Sequence, residues 1–238
     1  MREQLRNTPI IVLCGGQGTR LRSILSDRPK VLAPIGNETL LDIIVRQLRE
    51  HGFESIILSI GYLKEQVKKH CAQFSYPVRF SEEDKPLGTG GAVRVALDHV
   101  DADRFFVMNG DMIFNPDFGE LFRFHQEKGG VVSMALTRRY VGSGGNVVTM
   151  NEEGRIVGWR EKTDADNGES VHLNAGTYLI ERPATRFFPA RKQFSLEQDF
   201  FPLVFNERCF GFETGAEFID IGVPERYQTA LHMINTTS

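Results

Sequence analysis

Ile10-Ile11-Val12-Leu13-Cys14-Gly15-Gly16-Gln17-Gly18-Thr19-Arg20-Leu21 opens on an apolar run and then breaks into glycine at positions 15, 16 and 18. The apolar part has the length and the β-branched content of a buried strand. Glycine after it lets the backbone approach a ligand closely and turn successive N–H groups inward, a concavity suited to an anion. Arg20 adds a planar fork of donors, and Lys30, in Pro29-Lys30, a compact point charge. Together they suit a polyphosphate. The loop lacks the Gly-Lys-Ser/Thr ending of a P-loop, and as a dinucleotide fingerprint it has Leu21 where the third glycine belongs. The plainer explanation is a strand-to-helix turn that needs positive φ. The density of glycine beside two cations favours phosphate.

Outward from this loop, strand-like runs alternate with helical periodicity. Residues Ile10–Leu13 predict a strand and Leu40–His51 a helix, with Leu41, Ile44, Val45 and Leu48 on one face and Gly52 past its end. Ile56–Ile60 reads as a second strand, 63–73 as a helix and 78–80 as a short third strand. Thr89 is expected to N-cap a helix running to about residue 100. A buried strand over 105–108 then ends in Asn109-Gly110-Asp111. This βαβαβ order predicts an α/β fold, a mixed and mainly parallel sheet flanked by helices. In such sheets ligands bind beyond the carboxyl ends of the strands, where the glycine loop and Asp111 both fall.

The second half reads differently. Strands are expected at 131–136, 146–150, 155–160 and 172–180, joined by turns such as Asn151-Glu152-Glu153-Gly154, as a small antiparallel portion. Helices return near 200–205 and at the C-terminus, with Pro224 as a first helical residue. No repeat, low-complexity tract or linker divides the chain, so one α/β unit spans residues 1–238.

Composition narrows the class. Of 238 residues 41% are hydrophobic and 25% charged, ordinary for a globular protein with a real core. A net charge of −3 argues against nucleic acid or an anionic membrane as partner. Cys14, Cys71 and Cys209 are odd in number and widely spaced, fitting a reducing compartment without disulfides or a zinc site. The polar N-terminus and the absence of a long apolar run predict a soluble, cytoplasmic protein.

Further motifs carry chemistry only in combination. Asp111 and the Asp220 of Phe218-Ile219-Asp220-Ile221-Gly222 each interrupt an apolar context. Either alone reads as a turn residue. As a pair they suit Mg²⁺, which takes one or two carboxylates and fills its shell with water and substrate phosphate. Pro86-Leu87-Gly88-Thr89-Gly90-Gly91-Ala92 is a second glycine-rich loop at a helix start, where backbone can pass close to a flat base and free N–H groups are available. Of the acids in Ser81-Glu82-Glu83-Asp84, at least two read as a solvated turn. The remaining one would accept paired hydrogen bonds from a base edge, which suits guanine. Trp159-Arg160-Glu161-Lys162 and Asn174-Ala175-Gly176-Thr177 read by themselves as strand decoration and a bulge.

The order of these motifs resembles the sugar-nucleotide pyrophosphorylases, the nucleotidyltransferases that make NDP-sugars. The resemblance runs from Ile10 to about Tyr227. Within that family it is most similar to short bacterial D-glycero-α-D-manno-heptose 1-phosphate guanylyltransferases, on Asp27-Arg28-Pro29-Lys30, Ala33-Pro34-Ile35 and the loops already quoted. The resemblance implies a Rossmann-like nucleotidyltransferase domain, with a nucleotide-binding part at about 8–112, a sugar-binding part at about 113–225 and a C-terminal helix at about 224–235. It implies that Leu13, Gly15, Gly16, Gly18 and Thr19 hold the nucleotide, with Arg20 and Lys30 on its triphosphate. Glu83 would read the base beside Gly88 and Thr89. Asp111 and Asp220 would hold Mg²⁺. Asn109, Gly145, Glu161 and Asn174 would meet the sugar phosphate, and Lys162 its phosphate. Arg20, Lys30, Asp111, Lys162 and Asp220 form the implied catalytic set.

The implied substrates are GTP and a heptose 1-phosphate, giving NDP-sugar and pyrophosphate. The alternatives are uridylyl or thymidylyl transfer to a hexose or N-acetylmuramate phosphate and, in another class, a non-catalytic nucleotide-sugar sensor. The full set of charged residues argues against the sensor. The sequence departs from the family pattern at Val31-Leu32-Ala33 after Lys30, at Thr163 after Lys162, and at Gly142-Ser143-Gly144-Gly145 where an aromatic is usual, the last of which bears on the sugar. The chain ends soon after Tyr227, so no left-handed β-helix domain is expected. Relatives form dimers or tetramers, which makes a homo-oligomer an expectation by analogy alone.

Overall fold

The computed structural model describes residues 1–21, 24–138, 145–163, 166 and 171–237, with 233–237 as backbone alone. In chain order the elements are α1 (Arg2–Arg6), β1 (Ile10–Leu13), β2 (Pro34–Ile35), β3 (Glu38–Thr39), α2 (Leu40–His51), β4 (Ile56–Ile60), α3 (Lys64–Cys71) and β5 (Arg79–Glu82). Then come α4 (Gly88–Ala96), β6 (Arg104–Asn109), β7 (Met112–Phe114), α5 (Phe118–Lys128), β8 (Val132–Thr137), β9 (Asn146–Met150) and β10 (Ile156–Glu161). β11 (Leu173–Glu181), α6 (Phe201–Val204), β12 (Cys209–Thr214), β13 (Phe218–Asp220) and α7 (Pro224–Thr237) complete the chain.

β5, β4, β1 and β6 lie side by side and parallel, with Ile10 of β1 opposite Ile56 on one side and Phe106 on the other. The chain therefore winds outward from β1 to β5 and crosses back through α4 to β6. That reversal leaves a crevice at the strand ends between β1 and β6. β11 adds antiparallel to β6, β8 antiparallel to β11, and β12 parallel to β8. The β9–β10 hairpin joins through a single pairing of Leu173 with Val147. The result is the expected mixed sheet with an antiparallel portion.

Alternation along the strands divides the core. Ile10, Val12, Phe106 and Met108 face one apolar cluster with α2, α3 and α5, while Ile11, Phe105 and Val107 face another with α4 and residues 194–204. Both faces of these strands are covered, which is why the sequence reads as continuous apolar runs. α2 begins on a capping box, Thr39 and Asp42 bonding reciprocally, and ends at Gly52 with φ +99°.

Several expectations need correction. Thr89 is not an N-cap, because α4 starts at Gly88 behind Leu87. Its Oγ1 instead donates to Glu197 Oε2 at 2.7 Å and accepts from Leu196 N–H at 2.8 Å. The third strand runs over Arg79–Glu82, two residues beyond the expected 78–80 at its far end. α5 and β12 were not anticipated, although Asp117 caps α5 through Glu120 N–H and Gly129 closes it in the left-handed conformation.

α5 is pinned to the sheet by His125, which is fully buried, with Nδ1 2.8 Å from Ser133 Oγ and Nε2 3.0 Å from Glu181 Oε1. Neutral imidazole satisfies both by donating from Nε2 and accepting at Nδ1. Burial pushes its pKa below the ordinary value, against a smaller upward pull from Glu181. The unfolded chain therefore binds a proton that the folded state resists. His125 contributes full stability above about pH 6.5 and loses it as the pH falls below that value. Thermal unfolding at pH 7 and pH 5 should show a larger drop for the wild type than for His125→Gln. Equal drops would mean His125 does not titrate against folding.

Candidate functional site

The C-terminal ends of β1, β5 and β6 open onto one cavity of about 350 Å³. The loop after β1 lines it with Gly15, Gly16, Gly18, Thr19 and Arg20, following Leu13 at the strand's end. The β5–α4 connection contributes Glu83, Gly88 and Thr89, and the end of β6 contributes Asn109 and Asp111. Lys30 and Gly222 also line it. Every residue expected at the nucleotide thus borders a single space.

The glycine loop is followed by one 3₁₀ turn, Thr19–Leu21, rather than an α-helix. Leu21 is buried in the core and anchors that turn. A third glycine has no role there because the loop runs into this turn instead of into a helix that must pack closely on β1. Gly18 is left-handed at φ +57°, and its missing Cβ would lie 3.3 Å from Lys30 Cβ. Cys14 is buried, and burial holds its thiol well above the ordinary range. Like Cys71 and Cys209 it is a free cysteine.

The three acids after Ser81 separate as expected. Glu82 pairs with Lys68 at 2.6 Å and Lys64 at 3.3 Å, and Asp84 with Lys64 at 2.8 Å, all on the surface. Glu83 is buried instead, its Oε2 accepting Leu87 N–H at 2.8 Å. Its Oε1 lies under Gly15, where any Cβ would come within 2.5 Å of it. Burial raises its pKa, partly opposed by the Leu87 donor. A carboxylate is costly in such a place without further hydrogen bonds.

The second glycine loop behaves differently from expectation. Gly90 and Gly91 N–H both donate to Phe194 O, at 3.0 and 3.2 Å, so these helix-start donors are not free. A Cβ on Gly90 would fall inside the Phe194 ring, and one on Gly91 would meet Lys192 O at 2.5 Å. These two glycines serve packing against residues 192–194. Pro86, Leu87, Gly88, Thr89 and Ala92 are the loop residues that face the cavity.

Asp111 and Asp220 converge although they are far apart in sequence. Pairing of β13 with β7 sets Asp220 opposite Met112. Ile221 N–H donates to Asp111 O at 3.2 Å. Lys30 Nζ lies 2.9 Å from Asp111 Oδ2 and 3.6 Å from Asp220 Oδ1. A position shared by two carboxylates and already holding one positive charge fits a divalent cation, with water and phosphate for its remaining ligands. Among the described residues no cluster of three or more His, Cys, Asp or Glu offers a fuller metal site. Sequence reasoning missed Arg226, which is buried and donates to Asp220 Oδ2 at 2.5 Å. Its signal is the start of α7 at Pro224, which brings residue 226 back over the strand.

The expected sugar residues form a second group. Asn146 and Glu161 are opposite each other at one end of the β9–β10 hairpin, and Lys162 N–H donates to Gly145 O at 2.8 Å. Gly145, Glu161, Lys162 and Asn174 do not line this cavity. Asn174 donates to buried Tyr178 Oη at 2.9 Å and accepts Gly176 N–H at 2.9 Å, which fixes its amide. Asn109 borders the cavity and meets Gly176, whose Cβ position lies 2.7 Å from Asn109 Nδ2. Its Oδ1 is buried with no hydrogen-bond partner among the described residues. The residues Gly142, Ser143 and Gly144 lie outside the described residues.

With the cleft built in this way, the chain belongs to the nucleotidyl transferase family, whose model matches residues 9–235. It is similar, at 33% identity over 228 residues, to the D-glycero-alpha-D-manno-heptose 1-phosphate guanylyltransferase of Aneurinibacillus thermoaerophilus, covering 92% of this chain and 95% of that relative. It also resembles the crystal structure of HddC from Yersinia pseudotuberculosis, with TM-score 0.83 and 27% identity over 95% of this chain and 99% of that one. The same protein complexed with GMP-PN matches with TM-score 0.81. A UTP--glucose-1-phosphate uridylyltransferase of Synechocystis sp. is 26% identical over 92% of this chain but only 61% of its own length. No described helix is long and apolar enough to cross a membrane.

Proposed function

We propose that this protein transfers a guanylyl group from GTP to a sugar 1-phosphate, D-glycero-α-D-manno-heptose 1-phosphate, releasing pyrophosphate. The observation that carries the reading is the buried Glu83 carboxylate beneath Gly15, in a cavity lined by a glycine loop, Arg20 and Lys30. Guanine offers adjacent N–H donors to such a carboxylate. The similarity to heptose 1-phosphate guanylyltransferases supports both substrates.

A sugar phosphate has a second pKa near about 6, like other phosphomonoesters, and is mostly dianionic at neutral pH. It needs no general base. Its oxygen attacks the α-phosphorus in line, one P–O bond forms as another breaks, and pyrophosphate departs opposite. The protein's work is positioning two anions and stabilising spread charge. Lys162 holds the sugar phosphate, beside Gly145, Glu161 and Asn174. Asn109 offers its free acceptor where the two parts of the cleft meet. Arg20 and Lys30 take up charge on the departing pyrophosphate. Asp111 and Asp220 are the residues that would hold Mg²⁺, which when bound neutralises the reacting phosphates.

The deciding experiment is a panel of four NTPs and dTTP against heptose, mannose, glucose and N-acetylhexosamine 1-phosphates, following pyrophosphate. GTP with the heptose phosphate should give the highest kcat/KM. Turnover by another pair with that one inactive overturns the specificity. No Mg²⁺-dependent release from any pair would indicate a sensor instead.

A further inference from the structure

The Lys30 ammonium occupies the place that the proposed reaction gives to a cation. Besides Asp111 and Asp220, the backbones of Gly18 and Gly222 pack against its side chain, which is only 9% exposed. Asp220 is held separately, with Oδ2 on Arg226 and Oδ1 accepting Gly222 N–H at 2.5 Å. Lys30 therefore competes with any metal ion for the same oxygens, whereas Arg226 donates to the other oxygen of Asp220.

We propose that Lys30 is the resident counter-ion of this carboxylate pair in the nucleotide-free protein and leaves it only for polyphosphate, so that cation binding is coupled to nucleotide binding. The proposal rests on the reading that Asp111 and Asp220 hold the cation. Its physical basis is a stranded charge. A divalent ion arriving alone would displace Lys30 into an enclosed space without a partner, and an unpaired buried ammonium is strongly unfavourable. The triphosphate supplies the replacement partner. Lys30 then neutralises the leaving group, and the carboxylates become available together. Arg226 is a positioning residue that keeps one Asp220 oxygen and aims the other towards Asp111 and Lys30.

Mn²⁺ titrations read by electron paramagnetic resonance of the free ion test this without turnover. Without nucleotide, the wild type should bind Mn²⁺ weakly, and Lys30→Met should bind it about tenfold or more tightly, the usual range of a site coupling. Lys30→Gln carries the same expectation if Lys30→Met does not fold. Unchanged Mn²⁺ affinity in the folded variant, or tight nucleotide-independent binding by the wild type, overturns the proposal. A separate control guards the underlying reading. If neither Asp111→Asn nor Asp220→Asn weakens Mn²⁺ binding in the complex with a non-hydrolysable GTP analogue, the carboxylates are not its ligands and the reading itself fails.

Discussion

Asp111→Asn is expected to lower kcat at least about a thousandfold, about 4 kcal/mol of transition-state stabilisation. The variant should stay folded. Asp111 is half exposed and its ion pair with Lys30 is the side-chain contact at stake. Lys30 is itself enclosed but keeps Asp220 at 3.6 Å as a charged partner, so its ammonium is not stranded and melting should shift by no more than about 4 °C. The amide can still accept a hydrogen bond from Lys30, but it carries no charge to hold a cation. Pyrophosphate release at saturating Mg²⁺, measured beside a melting curve, separates the two effects. Near-normal turnover would remove Asp111 from the mechanism.

Glu83→Gln should reduce kcat/KM for GTP by about ten- to a hundredfold, in line with losing a hydrogen bond to a charged acceptor. The oxygen of glutamine can still accept Leu87 N–H, so the β5–α4 connection keeps its shape. The other position becomes an amino group, which faces the guanine donors with a donor. A site built to hydrogen-bond its substrate discriminates strongly, so selectivity for GTP over other nucleotides should narrow as well. Steady-state kinetics with each NTP measure this. Selectivity that is unchanged by the substitution would assign base recognition elsewhere.

The strands nearest the cleft were legible because they are buried on both faces. Ile10–Leu13 and Ile56–Ile60 stand where the sequence put them, since an unbroken apolar run has no other stable place. The glycine loop that lines the cavity was legible because its residues are close in sequence. Contacts between distant segments were not. Lys30 and Asp111 are 81 positions apart, and no local pattern announces that one ammonium serves two carboxylates. Thr89 had every mark of a helix cap until Glu197 and Leu196, more than a hundred residues on, recruited its hydroxyl. β12 was hidden by Gly211, which weakens a strand in isolation but here leaves room for Met150 Sδ and Leu136. α5 carries ordinary local signals, a capping Asp117 and a closing Gly129.

One strand touches both halves of the cleft. β11 borders β6 over 177–181, yet four residues earlier its neighbour is β9. The change happens across the irregular stretch 174–176, where Gly176 turns to φ +62° and Asn109 tucks against it. Such a strand works as a ruler. The end of β6 and the hairpin end that carries Lys162 are graduations on one backbone, not tips of two independent loops. On the proposed function, their spacing is then set by the sheet before either substrate arrives. A reaction that must bring two repelling anions within bonding reach gains from this, because an error of about 1 Å in placement is worth about a hundredfold in rate.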